Sequence, residues 1–246
     1  MKLVIGVALA GFLCAALVTG ASCCLCAVSS PGGPALTPGT MAAKNKPPDY
    51  LLRISANEPT VLAGALLVFI MGWADAGIGI SMYPILRRHN EGLALGAAGF
   101  RIIDGVLVCI GAVLILLLAT LSREFIKAGP ADLAQFQNLG ALLREWRTWV
   151  RDVAALPAWC IGAYLYYSLF YKTRLVPRWL SLWGLAGITL AGAGSILVLF
   201  RQIAPMSTVQ LLMNLPIAPQ EIVLAIWLIV KVFNPSAIAS PQQRAS

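Results

Sequence analysis

Four ionisable residues fall inside long apolar stretches of this 246-residue chain: Asp75, Arg101, Asp104 and Glu221. A charge at the centre of a bilayer costs about 2.5–3.5 kcal/mol on insertion scales, so such residues normally turn toward a bundle interior. Asp75 lies eight residues before Tyr83, and Arg101 lies eight residues past Leu93. At about 1.5 Å per residue, both sit roughly 12 Å from one end of their helices. Arg101 and Asp104, three residues apart, share a helix face. Glu221 stands ten residues before Lys231, roughly 15 Å deep by the same rise. The spacing predicts four charges from three helices in one layer. A count from the far end of the same stretch, at Leu121, puts Arg101 instead at the interface, snorkelling to water or lipid phosphate. The carboxylates would act either as a proton or cation relay tuned by Arg101, or as a salt bridge that fixes packing.

Pro216 and Pro219 stand just before Glu221. Proline removes a backbone donor and frees a carbonyl one turn back. A broken helix beside an intramembrane acid is how transporters build ion and substrate sites. The plainer reading is a kink, or a span that begins at Pro219.

Other chemistry is poorly provided for. No GxSxG, HExxH or paired-aspartate protease motif occurs, and His89 is the one histidine, so the expectation is a non-enzyme without catalytic residues. Cys14, Cys109 and Cys160 fall inside apolar stretches and read as packing residues. Cys23, Cys24 and Cys26 cluster, but no second Cys or His group completes a site, so neither metal nor cofactor is expected.

The elements that position these residues follow from composition. Only 11% of residues are charged, 59% are hydrophobic, and the mean hydropathy is +0.81. A soluble domain carries about a quarter charged residues to cover itself in water, whereas lipid-facing helices need no such cover. The expected class is all-α, a polytopic membrane protein with a bundle of six transmembrane helices. The formal charge of +8 sits mostly at the ends of apolar stretches and reads as membrane-flanking charge, with no nucleic-acid partner.

Residues 1–28 form the first span, from about Leu3 to Ala27, which also resembles a signal peptide. Residues 29–59, rich in Pro and Gly, read as an exposed loop. A five-span bundle occupies 60–233, with spans near Val61–Tyr83, Leu93–Leu121, Val153–Tyr171, Trp179–Phe200 and Val209–Phe233. Residues 234–246 read as a disordered tail. Between spans three and four, Leu133, Phe136, Leu139, Leu143, Trp146 and Val150 recur at helical spacing among polar residues. That pattern predicts an interfacial amphipathic helix, or a surface helix over the bundle mouth. The tyrosines Tyr164, Tyr166, Tyr167 and Tyr171 read as an interfacial belt. Short basic turns at Arg87–Arg88 and Lys172–Arg178 place both termini in the cytoplasm, in a cell (inner or plasma) membrane.

At YPILRRHNEGLALGAAGFRIID (83–104), RLVPRWLSLWGLAG (174–187) and QEIVLAIWLIVKVF (220–233), the chain resembles the bacterial multi-pass membrane family called domain of unknown function 4386. In that pattern a basic residue and then an acidic one stand early in the third span, matching Arg101 and Asp104, and a Glu opening the last span matches Glu221. The Pro-rich first loop departs from the family's usual form. The resemblance implies six spans and no activity.

The functional expectation is a small-solute or ion transporter, or a ligand-binding membrane protein, working through Asp75, Arg101, Asp104 and Glu221. The alternative is a non-catalytic accessory or sensor subunit that binds a membrane-protein partner through Trp146, Trp149 and the basic turns, with the charge cluster purely structural.

Overall fold

The computed structural model describes residues 49–128, 133–205 and 207–231. The expected first span, the loop up to residue 48, the clustered cysteines and the tail from 234 lie outside these residues. The described residues are helical, without strands, and five helices among them are long and apolar enough to cross a membrane. Their outward faces are as apolar as their inward ones: Trp73 is 63% exposed, and Leu66, Ile80, Leu95 and Ile196 are exposed beside it. In water that surface would be unstable; against lipid tails it costs nothing. The protein is an integral membrane protein.

Helix α1 (Asp49–Ala56) lies within the stretch read as exposed loop. Leu51 and Ile54, one turn apart, are buried against the far end of the third element at Leu118, Ala119 and Leu121. Ser122 Oγ donates to the Leu51 carbonyl. Glycine and proline punctuation dominates only up to Pro48; beyond it the apolar pair finds a partner and the helix forms. Tyr50 covers Gly140, and Arg144 stacks 4.8 Å from its ring.

Helix α2 (Glu58–Leu86) and helix α3 (Glu91–Ala128) form the central hairpin. Pro59 is tolerated in the first turn of α2, where its missing N–H would have no partner. Asn90 Oδ1 caps α3 by accepting from the Leu93 N–H at 2.9 Å. The two backbones touch: a Cβ on Gly72 would fall 2.7 Å from the Gly105 carbonyl, and one on Gly79 would fall 2.8 Å from Arg101 Cβ. Membrane helices lack a hydrophobic force between them, so small residues that permit this approach supply the packing.

Helix α4 (Leu133–Thr148) passes through a π-helical turn (Trp149–Ala155) into α5 (Leu156–Thr173). The amphipathic segment is therefore continuous with the next span, in a helix that runs Ala134–Thr173. The chain turns at Arg174, whose φ of 56° is left-handed, and α6 (Arg178–Leu199) follows. The last crossing is in two pieces, α7 (Thr208–Asn214) and α8 (Ile217–Lys231). Pro216 lies between them, and Pro219 falls in the first turn of α8, where its ring is accommodated.

Candidate intramembrane polar site

Where α2, α3, α5 and α8 meet, the bundle interior is polar. Arg101 is 1% exposed, so it does not snorkel to an interface. Its Nη1 donates to Asp75 Oδ1 at 2.8 Å, and Nη2 lies 4.0 Å from Glu221 Oε1. Nη2 also donates to the Tyr166 hydroxyl at 3.3 Å. The guanidinium carbon lies 5.4 Å from the Trp159 ring centre and 5.5 Å from that of Tyr166. Arginine suits this place because its planar, weakly hydrated cation bonds carboxylates at its edge and stacks on aromatic faces.

Local sequence explains the positions. Gly79 on α2 leaves room for the Arg101 stem. On α5, a Cβ at Gly162 would lie 3.4 Å from the Arg101 backbone nitrogen and 3.2 Å from Phe100 Cβ. Trp159 and Tyr166, seven residues apart on one face of α5, therefore close over the guanidinium. Tyr167, beside Tyr166, donates to Gln220 Oε1 at 2.7 Å, and Gln220 Nε2 donates to the Leu180 carbonyl at 3.4 Å. Gly184 on α6 admits the Tyr167 ring. This chain of bonds sets the register of α8 and delivers Glu221 to the site.

Asp75, Asp104 and Glu221 are all buried. Asp104 is buried one turn along α3 from Arg101, while Asp75 and Glu221 are the acids placed at 2.8 and 4.0 Å from the guanidinium. The members differ. Asp75 is clamped to Arg101, although its Oδ2 accepts no hydrogen bond; Glu221 stands off at 4.0 Å; Asp104 Oδ2 is buried and likewise accepts none. Of the three buried acids, Asp75 and Glu221 flank the one guanidinium. Among the described residues no three His, Cys, Asp or Glu side chains come together as metal ligands.

The tyrosines divide in a way their spacing did not reveal. Tyr164 and Tyr171 are exposed, as an interfacial belt requires, but Tyr166 and Tyr167 are buried at the site. Trp159 and Gln220 were not singled out in the sequence at all. The seven-residue step from Trp159 to Tyr166 was the available signal, since it puts both rings on one face.

A second polar group lies nearer the opposite end. Asp152 in the π turn is buried, with Arg151 bonded across both its oxygens (Nε–Oδ1 3.0 Å, Nη2–Oδ2 2.7 Å) and Gln210 Nε2 on Oδ1 at 3.2 Å.

The family model described as domain of unknown function (DUF4386) matches residues 18–231. No curated protein and no solved structure matches the chain.

Proposed function

We propose that this chain, which belongs to the DUF4386 family, binds or moves a small solute or ion through its membrane bundle, with Asp104 and Glu221 as the working carboxylates. The observation that carries this reading is the charge imbalance: three buried acids face one arginine, and an Asp104 oxygen has no hydrogen-bond partner. Burying uncompensated carboxylate is expensive, so the site invites added positive charge. A proton fits better than a metal ion, because Arg101 separates Asp75 from Glu221 and the acids form no ligand set. In this reading Asp75–Arg101 is the fixed element, while Glu221, standing 4.0 Å from Arg101, closes on the guanidinium or leaves it as Asp104 is loaded. The proposed topology adds the sixth span at 3–27 and places the basic turns and both termini on the cytoplasmic side.

The test is purified protein in liposomes loaded with a pH-reporting dye, under an imposed pH or ion gradient. Wild type should give a gradient-dependent flux, and Glu221→Gln should abolish it while still purifying as a single species. Equal flux from the variant would sink the proposal.

The closed 2.8 Å contact between Asp75 and Arg101 favours a second reading, in which the cluster only fixes packing and the protein is an accessory or sensor subunit. The exposed Trp146 and the basic turns are then the surfaces for a membrane-protein partner. Mild-detergent purification should recover a stoichiometric companion in that case; repeated isolation of the chain alone counts against it.

A further inference from the structure

The last crossing is cut in two, and its two halves are held by different contacts. Helix α8 is anchored by Gln220 on Tyr167 and by Leu224, Ala225 and Leu228, all essentially unexposed. Helix α7 turns Val209, Leu211 and Leu212 outward. It meets the bundle through Gln210, which is 3% exposed, and through Met213, seated beside Gly194 of α6. Between the halves lie Leu215 and Pro216, and the neighbouring Asn214 Oδ1 is buried without a hydrogen-bond partner. A helix broken at a proline bends there at low cost.

What Gln210 grips is itself built for the purpose. In the π turn the Leu156 N–H reaches back five residues to the Arg151 carbonyl. The next donor in that pattern would be residue 157, a proline with no N–H, so the Asp152 carbonyl has no main-chain partner there. Ser195 Oγ on α6 donates to it instead. The turn is thereby pinned to α6, and the Asp152 carboxylate, braced by Arg151, is aimed at the Gln210 amide. Interruptions of this kind recur at functional points in helices.

We infer that α7 is a gate, latched by Gln210 on the Asp152 carboxylate and hinged at Leu215–Pro216, whose opening exposes the path to Glu221 and Asp104 from that end of the bundle. The latch stands on its own geometry; its role as a gate rests on the transport reading above.

Two measurements on the full chain in liposomes separate these claims. In a background without native cysteines, Met213→Cys reports α7 release through its rate of reaction with a maleimide. Gln210→Leu and, independently, Gln210→Glu should speed that reaction by about tenfold or more, the factor expected from losing one hydrogen bond to a charged group. An unchanged rate in whichever of the two variants folds overturns the latch. Next, a Cβ at Gly194 lies 3.8 Å from Met213 Cβ, the separation that suits a disulfide. Oxidised Gly194→Cys/Met213→Cys should lose gradient-driven flux and regain it with dithiothreitol, while each single variant keeps it. Full flux in the cross-linked protein overturns the gate. Absence of flux in wild type as well refutes the transport reading and the gate with it, and the maleimide rates still decide the latch.

Discussion

Replacing Arg101 by leucine should destabilise the bundle more than any single change at its acidic partners. The side chains of Arg101 and Asp75 are 1% and 3% exposed and meet at 2.8 Å, so water cannot compensate for a lost partner. Removing one member of such a buried pair costs about 3–5 kcal/mol, because the other is left as an uncompensated charge. For Arg101→Leu that range is a lower bound, since Glu221 loses the same cation as Asp75. Asp75→Asn is milder: Arg101 keeps Glu221 at 4.0 Å, the Tyr166 hydroxyl and two aromatic faces. Losing one charged hydrogen bond then costs about 1.5–3 kcal/mol. The double variant Asp75→Leu/Arg101→Leu should recover part of the Arg101→Leu loss, which is the signature of coupling rather than of bulk packing. Unfolding in mixed micelles with increasing SDS fraction, followed by tryptophan fluorescence, measures all three. Equal losses for Arg101→Leu and Asp75→Asn would refute the shared-cation account. A loss of under about 1 kcal/mol for Arg101→Leu would mean that the guanidinium is hydrated like a surface charge.

Other outcomes are as concrete. Gly72→Leu should prevent close approach of α2 and α3, because even a Cβ there meets the Gly105 carbonyl at 2.7 Å and Cys109 Sγ at 2.8 Å; size-exclusion profiles should show loss of the monodisperse species. Gly77→Ala, with no atom within 4 Å of the new methyl, should instead stabilise the helix by about 0.5–1 kcal/mol in a thermal melt. At the α1 end of the bundle, burial pushes the Tyr50 phenol above its ordinary 10.0, with Arg144 partly opposing the shift. The folded state thus holds the Tyr50 proton more tightly than the unfolded one. Its contribution to α1 docking is complete below pH 10 and is lost as pH rises through the folded value. Ultraviolet titration of Tyr50→Phe should lose one phenol from the late-ionising fraction, and its loss from the fraction that ionises at the ordinary 10.0 instead would contradict the assignment.

The sequence by itself determined the class of protein and the places of the five long apolar helices among the described residues. The hydrocarbon thickness sets how long an apolar run must be, and that length is a local property readable without knowing any neighbour. The stretches near Val61–Tyr83, Leu93–Leu121 and Trp179–Phe200 accordingly became α2, α3 and α6 with ends shifted by a few residues or, for α3, a full extra turn and more. The cost of charge in lipid also marked Asp75, Arg101, Asp104 and Glu221 in advance, because that penalty attaches to the residue and not to its partners. What the cluster looks like was not legible. Arg101 and Asp104 share a face by spacing, yet the 2.8 Å bond of Arg101 runs to Asp75 on another helix. The tyrosine-rich end of α5 read as a belt because interfacial and buried tyrosines have the same composition. Only the approach of α5 at Gly162 and the room made by Gly184 turn Tyr166 and Tyr167 inward. The helix α1, the π turn at Trp149–Ala155 and the grip of Gln210 on Asp152 likewise depend on groups 43 to 71 residues away in the chain. Hydropathy decides which segments enter the bilayer; the pairing of polar groups inside it is decided by which backbones can approach, and that is a property of the assembled bundle.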